Sequence, residues 1–167
     1  MCYNIIMNSN EAKYNIEDDI RKIDVFLSEC LLFSDTSASL STSTEDDIPG
    51  IDEPDSTFSE RVLQFVEKSG MTPKEFYSKA NLTRQVFHVL NSNRNYRPTR
   101  TTAFACAIGL ELSFEQTKEL LMSAGYAFSH SLRTDIIVEY YIRNRIYDIE
   151  RINHALFHYD LQTLGSA

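Results

Sequence analysis

Tryptophan is absent from this 167-residue sequence, and glycine and proline are scarce, at five and four residues. So few turn-forming residues exclude a protein of many short strands, which needs them at each strand connection. No run of about 18 apolar residues is present, and the N-terminus has neither the basic start nor the apolar stretch of a secretory signal. The sequence therefore predicts helices joined by short turns, in a cytoplasmic protein with no membrane partner.

Residue types that carry chemistry are also few. The three cysteines, Cys2, Cys30 and Cys106, are too widely spaced for a CxxC metal motif or a disulfide framework. His154 and His158 have the spacing of two metal ligands on a helix, but no third ligand accompanies them. No GxGxxG, P-loop, GxSxG or kinase motif occurs. We therefore expect no metal site, no cofactor and no enzymatic activity.

Acidic and basic residues are unevenly distributed. Residues 1–56 contain 3 Lys and Arg against 13 Asp and Glu, whereas residues 57–167 contain 13 against 11. The net charge of −8 therefore belongs to the N-terminal third and does not exclude nucleic acid as a partner of the rest. No acidic residue occurs between Glu75 and Glu111, and that interval contains Lys79, Arg84, Arg94, Arg97 and Arg100. This interval is a local basic patch.

The N-terminal third divides into two segments. Residues 1–33 include an amphipathic helix from Asn15 to Phe33, because apolar residues recur there at spacings of 4, 3, 4 and 3: Ile16, Ile20, Ile23, Leu27 and Cys30. This stripe can pack on the main domain, on a second copy of the chain, or on the rest of a larger domain. Residues 34–56 consist almost entirely of Ser, Thr, Asp, Glu, Pro and Gly, which predicts a disordered acidic linker.

Seven amphipathic helices are predicted within residues 57–167. The first ends at Gly70, and the second begins at a capping box, Thr72 to Glu75, with Pro73 in its first position. The third covers 84–90 after a Thr83 cap, and the fourth, about 99–109, is apolar with small side chains. A fifth helix runs from a Ser113 cap to about 124, and two more flank a turn at 144–147. Cys106 is expected to be a buried apolar residue.

The order of these elements resembles the helix-turn-helix domain of phage-repressor and Xre-type regulators. Residues 71–126 carry the resemblance, through the capping box, the Ala80-Asn81-Leu82 turn, Pro98 after the third helix, and Gly109-Leu110 before the fifth. The expected fold is all-α: a five-helix repressor-like helix-turn-helix domain extended by two C-terminal helices, preceded by the acidic linker and the N-terminal helix. The sequence departs from the pattern at Pro73-Lys74-Glu75, where such regulators commonly carry a polar residue, often Gln, that clamps a phosphate.

The last part of the chain shows a second resemblance. The stretch ending in YYIRNRIYDIERINHALFHYDLQTLGSA is similar to C-terminal tails of bacterial proteins that carry a macro domain upstream. Residues 1–56 are too few for a macro domain, so this resemblance implies no ADP-ribose chemistry for this chain.

The resemblance implies which residues would contact DNA. If the third helix enters the major groove, its exposed face brings to the base edges Thr83, Arg84, Gln85 and His88. Phosphates beside the groove would be contacted by Lys79, Asn91, Arg94, Arg97 and Arg100. Val86, Phe87, Val89 and Leu90 would then belong to the core. The alternative for both polar sets is an ordinary solvated surface.

These observations predict a sequence-specific duplex-DNA-binding regulator that acts as a homodimer, because one helix-turn-helix offers a small interface. Candidate residues for the dimer surface are Ile136, Ile137, Tyr140, Ile142, Ile149, Ile152, Leu156 and Phe157. The alternative is a protein-interaction module with a repressor-like fold, such as an adaptor, an antitoxin or a phage-encoded inhibitor. Fold alone does not distinguish them.

Overall fold

A computed structural model of the chain describes residues 15–33 and 56–165. These residues form eight α-helices and no strand, so the predicted all-α class is confirmed for them. The helices are α1 (Ile16–Phe33), α2 (Phe58–Ser69), α3 (Pro73–Lys79), α4 (Arg84–Ser92), α5 (Arg100–Gly109), α6 (Phe114–Ser123), α7 (Arg133–Arg143) and α8 (Ile149–His158). All but the last residue of the predicted linker, 34–56, lies outside the described residues.

Local hydrogen bonds mark the start of most helices, at the caps that the sequence predicts for α3, α4 and α6. Reciprocal capping boxes start α2, α3 and α6, with Thr57, Thr72 and Ser113 as the respective caps. The hydroxyl of Thr83 accepts a hydrogen bond from the Val86 amide at the start of α4. Gly70 ends α2 in the left-handed conformation, at φ 68°. These contacts are local in sequence, which explains why the predicted helix boundaries agree with the structure.

Helix α5 lies at the centre of the core. Every residue of α5 from Thr102 to Gly109 is buried, and the helix packs against α3, α6 and α8. Cys106 is fully buried within this run, and burial raises the pKa of its thiol to about 12. The prediction that this helix is buried is therefore confirmed, as is the apolar role of Cys106.

Helix α1 folds back onto α7 and α8, which is the first of the three possibilities that the sequence leaves open. Ile23 and Leu27 are buried there. The carboxylate of Asp19, which is buried, accepts hydrogen bonds of 2.5 Å from Nε and a terminal nitrogen of Arg151. The hydroxyl of Tyr141 on α7 donates to the same carboxylate at 3.4 Å. An ion pair with apolar contacts around it thus fixes α1 on the α7–α8 surface.

The predicted dimer surface is wrong for most of its residues. Seven of the eight side chains are at most 9% exposed within the single chain, because α1, α6 and α8 pack around α7 while α1 and α5 also pack on α8. Only Phe157 of that set is exposed, at 58%. Amphipathic periodicity shows that a helix has an apolar face, but it does not show which partner covers that face. None of the described helices is both long enough and apolar enough to cross a lipid bilayer.

Candidate nucleic-acid interface

Helix α4 presents one polar face to solvent and one apolar face to the protein. Four predicted base-contacting residues are all exposed: Thr83, Arg84, Gln85 and His88. On the opposite face Leu90 is buried, while Val86 and Phe87 are half-buried. Val89 departs from its predicted place in the core, since 41% of its surface is exposed. A nine-residue helix that packs through one face on α2 and α3 leaves some apolar positions exposed.

The turn between α3 and α4 is fixed by short-range contacts. Asn81 adopts the left-handed conformation at φ 49°, and the Leu82 amide donates to the carbonyl of Tyr77 at 2.8 Å. Across the turn, the Phe87 ring lies with its centroid 5.9 Å from that of Phe76 and 6.2 Å from that of Tyr77. These aromatic contacts fix α4 against α3.

Helices α3 and α4 are also packed tightly on the core through α5. A Cβ atom added to Gly109 would lie 2.6 Å from Cβ of Ala80 and 2.8 Å from its backbone nitrogen. Only glycine allows this approach of α3 to α5. The exposed face of α4 is therefore presented by a rigidly supported helix pair.

An open groove of about 460 Å³ lies between the start of α3 and the exposed face of α4. Its rim carries Lys74, Arg84, His88 and Asn91, and its apolar lining includes Tyr77 and Phe87. Arg84, His88 and Asn91 are spaced by four and three residues, which places them along one face of α4. Among the residues that the structure describes, no acidic side chain lines this groove. The groove thus combines basic and hydrogen-bonding groups beside an aromatic surface.

Lys74 is the groove residue that the sequence analysis treated only as a departure from the expected pattern. It is exposed in the first turn of α3, and it lies on the same groove as Arg84. A lysine here supplies a positive charge at the edge of the groove, and lysine binds phosphate as a point charge. The sequence feature that indicates the position of Lys74 in the first turn of α3 is its place directly after the Thr72 cap and Pro73.

The residues predicted to contact phosphates do not share one environment. Asn91 lies on the groove, whereas Lys79 pairs with Glu111 at 2.7 Å and Arg94 pairs with Glu60 at 2.7 Å. Both cations are largely exposed in these pairs, so each partner can be exchanged for a phosphate at small cost. Arg97 is exposed and forms no ion pair with an acidic residue in the described parts of the chain.

Arg100 does not serve the predicted phosphate-contacting role. Its guanidinium group donates to both oxygens of Asp135, which is buried on α7, and to the carbonyl of Ala127. The group also lies 5.5 Å from the ring centroid of Tyr126 and 5.9 Å from that of Phe104. Removing it from these contacts would leave a buried carboxylate without a counter-ion. Arg100 is therefore an internal structural residue.

The loop after α4 is anchored by hydrogen bonds to α2 and to the segment that follows α6. The hydroxyl of Ser59 donates to the carbonyl of Asn93 at 3.0 Å, and the hydroxyl of Tyr126 donates to the carbonyl of Pro98 at 3.1 Å. Glu60, which pairs with Arg94, has a lowered pKa, chiefly because its carboxylate accepts a hydrogen bond from the Thr57 backbone amide. The exposed arginines of this loop are thus attached to a fixed backbone.

The two histidines of α8, His154 and His158, are both exposed. Within residues 15–33 and 56–165, no group of three or more His, Cys, Asp or Glu side chains is arranged to bind a metal ion. No significant match to this chain was found among protein-family models, curated proteins or solved structures.

Proposed function

We propose that this protein is a sequence-specific duplex-DNA-binding regulator in which α3 and α4 form a helix-turn-helix and α4 enters the major groove. The observation that carries the proposal is the convergence of Lys74, Arg84, His88 and Asn91 on one open groove, on a helix pair docked firmly against the core. At 1.5 Å per residue, α4 is about 13 Å long, a length that the major groove of B-DNA accommodates.

The side chains of this face offer the chemistry that base readout uses. Arginine forms two parallel hydrogen bonds with guanine, and glutamine does so with adenine. In the proposed complex, Arg84, Gln85 and His88 contact base edges, with Thr83 at the start of the helix. Lys74, Asn91 and Arg97 contact phosphates, and Lys79 and Arg94 exchange their carboxylate partners for phosphates.

The experiment is binding of the full chain to a randomised duplex DNA pool across a salt series. The full chain is needed because α1 covers apolar residues of α7 and α8, which a shorter fragment starting at residue 57 would expose. We expect an enriched motif, a steep loss of affinity with salt, and a two-fold symmetric site if the protein binds as a homodimer.

Three variants test which residues contact bases and which contact phosphates. Arg84→Ala is expected to cost about 1–3 kcal/mol of binding and to relax selectivity at one base position, whereas Lys74→Ala should weaken binding to all sequences and reduce the salt slope by about one. Arg145→Ala is the matched control, because Arg145 is exposed but lines a different groove, between α6 and the α7–α8 turn. Equal effects of Arg84→Ala and Arg145→Ala would reject α4 as the reading helix.

The second candidate is a protein-interaction module that uses the same groove. The observation that favours it is the neutralisation of several basic residues: Lys79 by Glu111, Arg94 by Glu60, and Arg100 by Asp135. Absence of duplex binding even at low salt would reject the DNA proposal and favour this one. An acidic partner peptide that competes for Lys74 and Arg84 would then be the expected ligand.

A further inference from the structure

The segment that follows α8 contacts the turn between α3 and α4. Residues 161–165, which we term the C-terminal strap, bring Leu164 into the core, where only 1% of its surface is exposed. The carbonyl of Leu164 accepts a hydrogen bond from Nδ2 of Asn81 at 3.3 Å. The strap is therefore in direct contact with the left-handed residue of the turn.

Asn153 on α8 fixes this strap in place. Its Oδ1 accepts a hydrogen bond from the Leu164 amide at 2.7 Å, and its Nδ2 donates to the Leu164 carbonyl at 3.1 Å. One side chain thus satisfies both backbone groups of a buried residue, as a neighbouring β-strand would. The Leu164 carbonyl receives hydrogen bonds from Asn153 and Asn81 together.

The backbone contact at this point is close. Gly165 has a φ of 91°, and a Cβ added to it would lie 2.4 Å from the carbonyl oxygen of Asn81. Asn81 itself adopts φ 49°, a conformation that costs a non-glycine residue free energy unless its surroundings stabilise it. The hydrogen bond from its side chain to the strap supplies such stabilisation, because it ties the residue at the turn to α8.

We propose that Asn153 is a positioning residue: by fixing the C-terminal strap, it stabilises the left-handed turn at Asn81 and so sets the orientation of α4 relative to α3. Asn153 lies on α8 and acts on α4 only through Leu164 and Asn81. The consequence for recognition, that Asn153 affects DNA selectivity without contacting DNA, rests on the proposed function. The effect on the turn does not.

The test is hydrogen exchange of the full chain without DNA, followed at the amides of Asn81 and Leu82. In Asn153→Ala we expect exchange at these two amides to rise about tenfold, the effect of losing hydrogen bonds to a buried backbone group. Amides of α5 should keep their wild-type rates. His154→Ala is the matched control, since His154 is the next residue on α8 and is exposed. Unchanged exchange at Leu82 in Asn153→Ala would overturn the proposal.

A second variant separates positioning from general loss of stability. Asn81→Gly retains the left-handed conformation but removes the side chain that contacts the strap. We expect Asn153→Ala to change Leu82 exchange by less than threefold in the Asn81→Gly background, because the side-chain hydrogen bond from residue 81 to the Leu164 carbonyl is already absent. Independent, multiplicative effects of the two changes would overturn the proposal, as would uniformly faster exchange throughout the domain.

The DNA measurement follows as a separate step. If the wild-type chain selects a DNA motif, Asn153→Ala should lower affinity for that motif severalfold while leaving non-specific binding unchanged. A wild-type chain that binds no DNA would reject the proposed function and leave the exchange result standing. A variant that retains full selectivity would overturn the part of this inference that concerns recognition.

Discussion

Helices α4 and α7 are similar in length, nine and eleven residues, but the structure uses them in opposite ways. Eight consecutive residues of α7, Asp135 to Ile142, are buried, including two acidic side chains. In α4 only Leu90 is buried, and its polar residues face solvent. The two buried carboxylates of α7 are therefore paired within the chain, Asp135 with Arg100 and Glu139 with Arg143, whereas Arg84 on α4 is exposed and available to a partner. The presence of a charged residue in a sequence does not reveal which of these situations applies.

Two arginines illustrate this difference between buried and exposed contacts. Arg100 lies beside α7 and completes a buried network with Asp135, whose carboxylate also accepts a hydrogen bond from the Ser129 amide at 2.8 Å. Arg84 lies on α4 and lines the open groove. Both belong to the same basic interval of the sequence. Four substitutions test how buried and exposed contacts differ in this domain, and the first is expected to have the largest effect.

Asp135→Ala is expected to have the largest effect on stability. The change leaves the Arg100 guanidinium without its counter-ion in a partly buried site, so we expect a loss of about 3–5 kcal/mol in the free energy of unfolding. Arg84→Ala is the exposed counterpart and should change stability by no more than about 0.5 kcal/mol. Urea unfolding of both variants measures the difference. Similar losses would remove the distinction between the two helices.

Asp19→Ala is expected to release α1 from the surface of α7 and α8. Loss of the hydrogen-bonded pair with Arg151 should destabilise α1 by roughly 2–3 kcal/mol. Thiol labelling in a Cys2→Ser background measures the release, because Cys30 lies on α1 and Cys106 lies in the centre of α5. We expect faster labelling of Cys30 and unchanged labelling of Cys106. Equal acceleration at both thiols would instead indicate that α1 and the core unfold together.

Gly109→Ala tests the docking of α3 on α5. The added methyl group would meet both the side chain and the backbone of Ala80, and we expect an overpacking cost of about 1–3 kcal/mol with faster hydrogen exchange at the Ala80 amide. Gly70→Ala is the control: its left-handed conformation costs about 1 kcal/mol, but among the described residues no non-neighbouring atom lies within 4 Å of the added group. The control should not alter exchange at Ala80. An equal change there would show that the close approach to α5 is not what positions α3.

The smallest effect is expected at the start of α3. The Glu75 carboxylate has a lowered pKa, first because the Thr72 backbone amide donates to it at 2.8 Å. Because the pKa of Glu75 is lower in the folded protein, the hydrogen bonds to its carboxylate contribute fully to stability above the ordinary pKa of 4.5. This contribution is lost as the pH falls through the lower pKa of the folded state. Glu75→Gln should remove this acid-dependent loss while retaining the cap.

Unfolding curves between pH 6 and about pH 3 measure this difference. A parallel variant is Glu60→Gln, at the equivalent capping box of α2, where the carboxylate pKa is also lowered and Arg94 is a further partner. The two variants should flatten the pH dependence to a similar degree. A steeper acid loss in Glu75→Gln than in the wild type would contradict this assignment.

Helix boundaries were predictable because their causes are local in sequence. Thr72 and Glu75 form a capping box within four residues, and Gly70 ends α2 by its own conformation. The exposed face of α4 was likewise predictable, since helical spacing alone places Arg84 and His88 together. By contrast, the assignment of Arg100 to phosphates failed, because the sequence does not show that Asp135, 35 residues later, lies beside it.

Local sequence determined the all-helical class, the caps, the buried character of α5 and the polar face of α4. Tertiary structure alone decided that α1 covers α7 and α8, that Lys74 joins the groove of α4, and that Asn153 contacts the turn through Leu164. The physical reason is the range of the interactions. Capping and periodicity act over a few residues, whereas pairing of buried charges and packing of apolar faces depend on segments that only folding brings together.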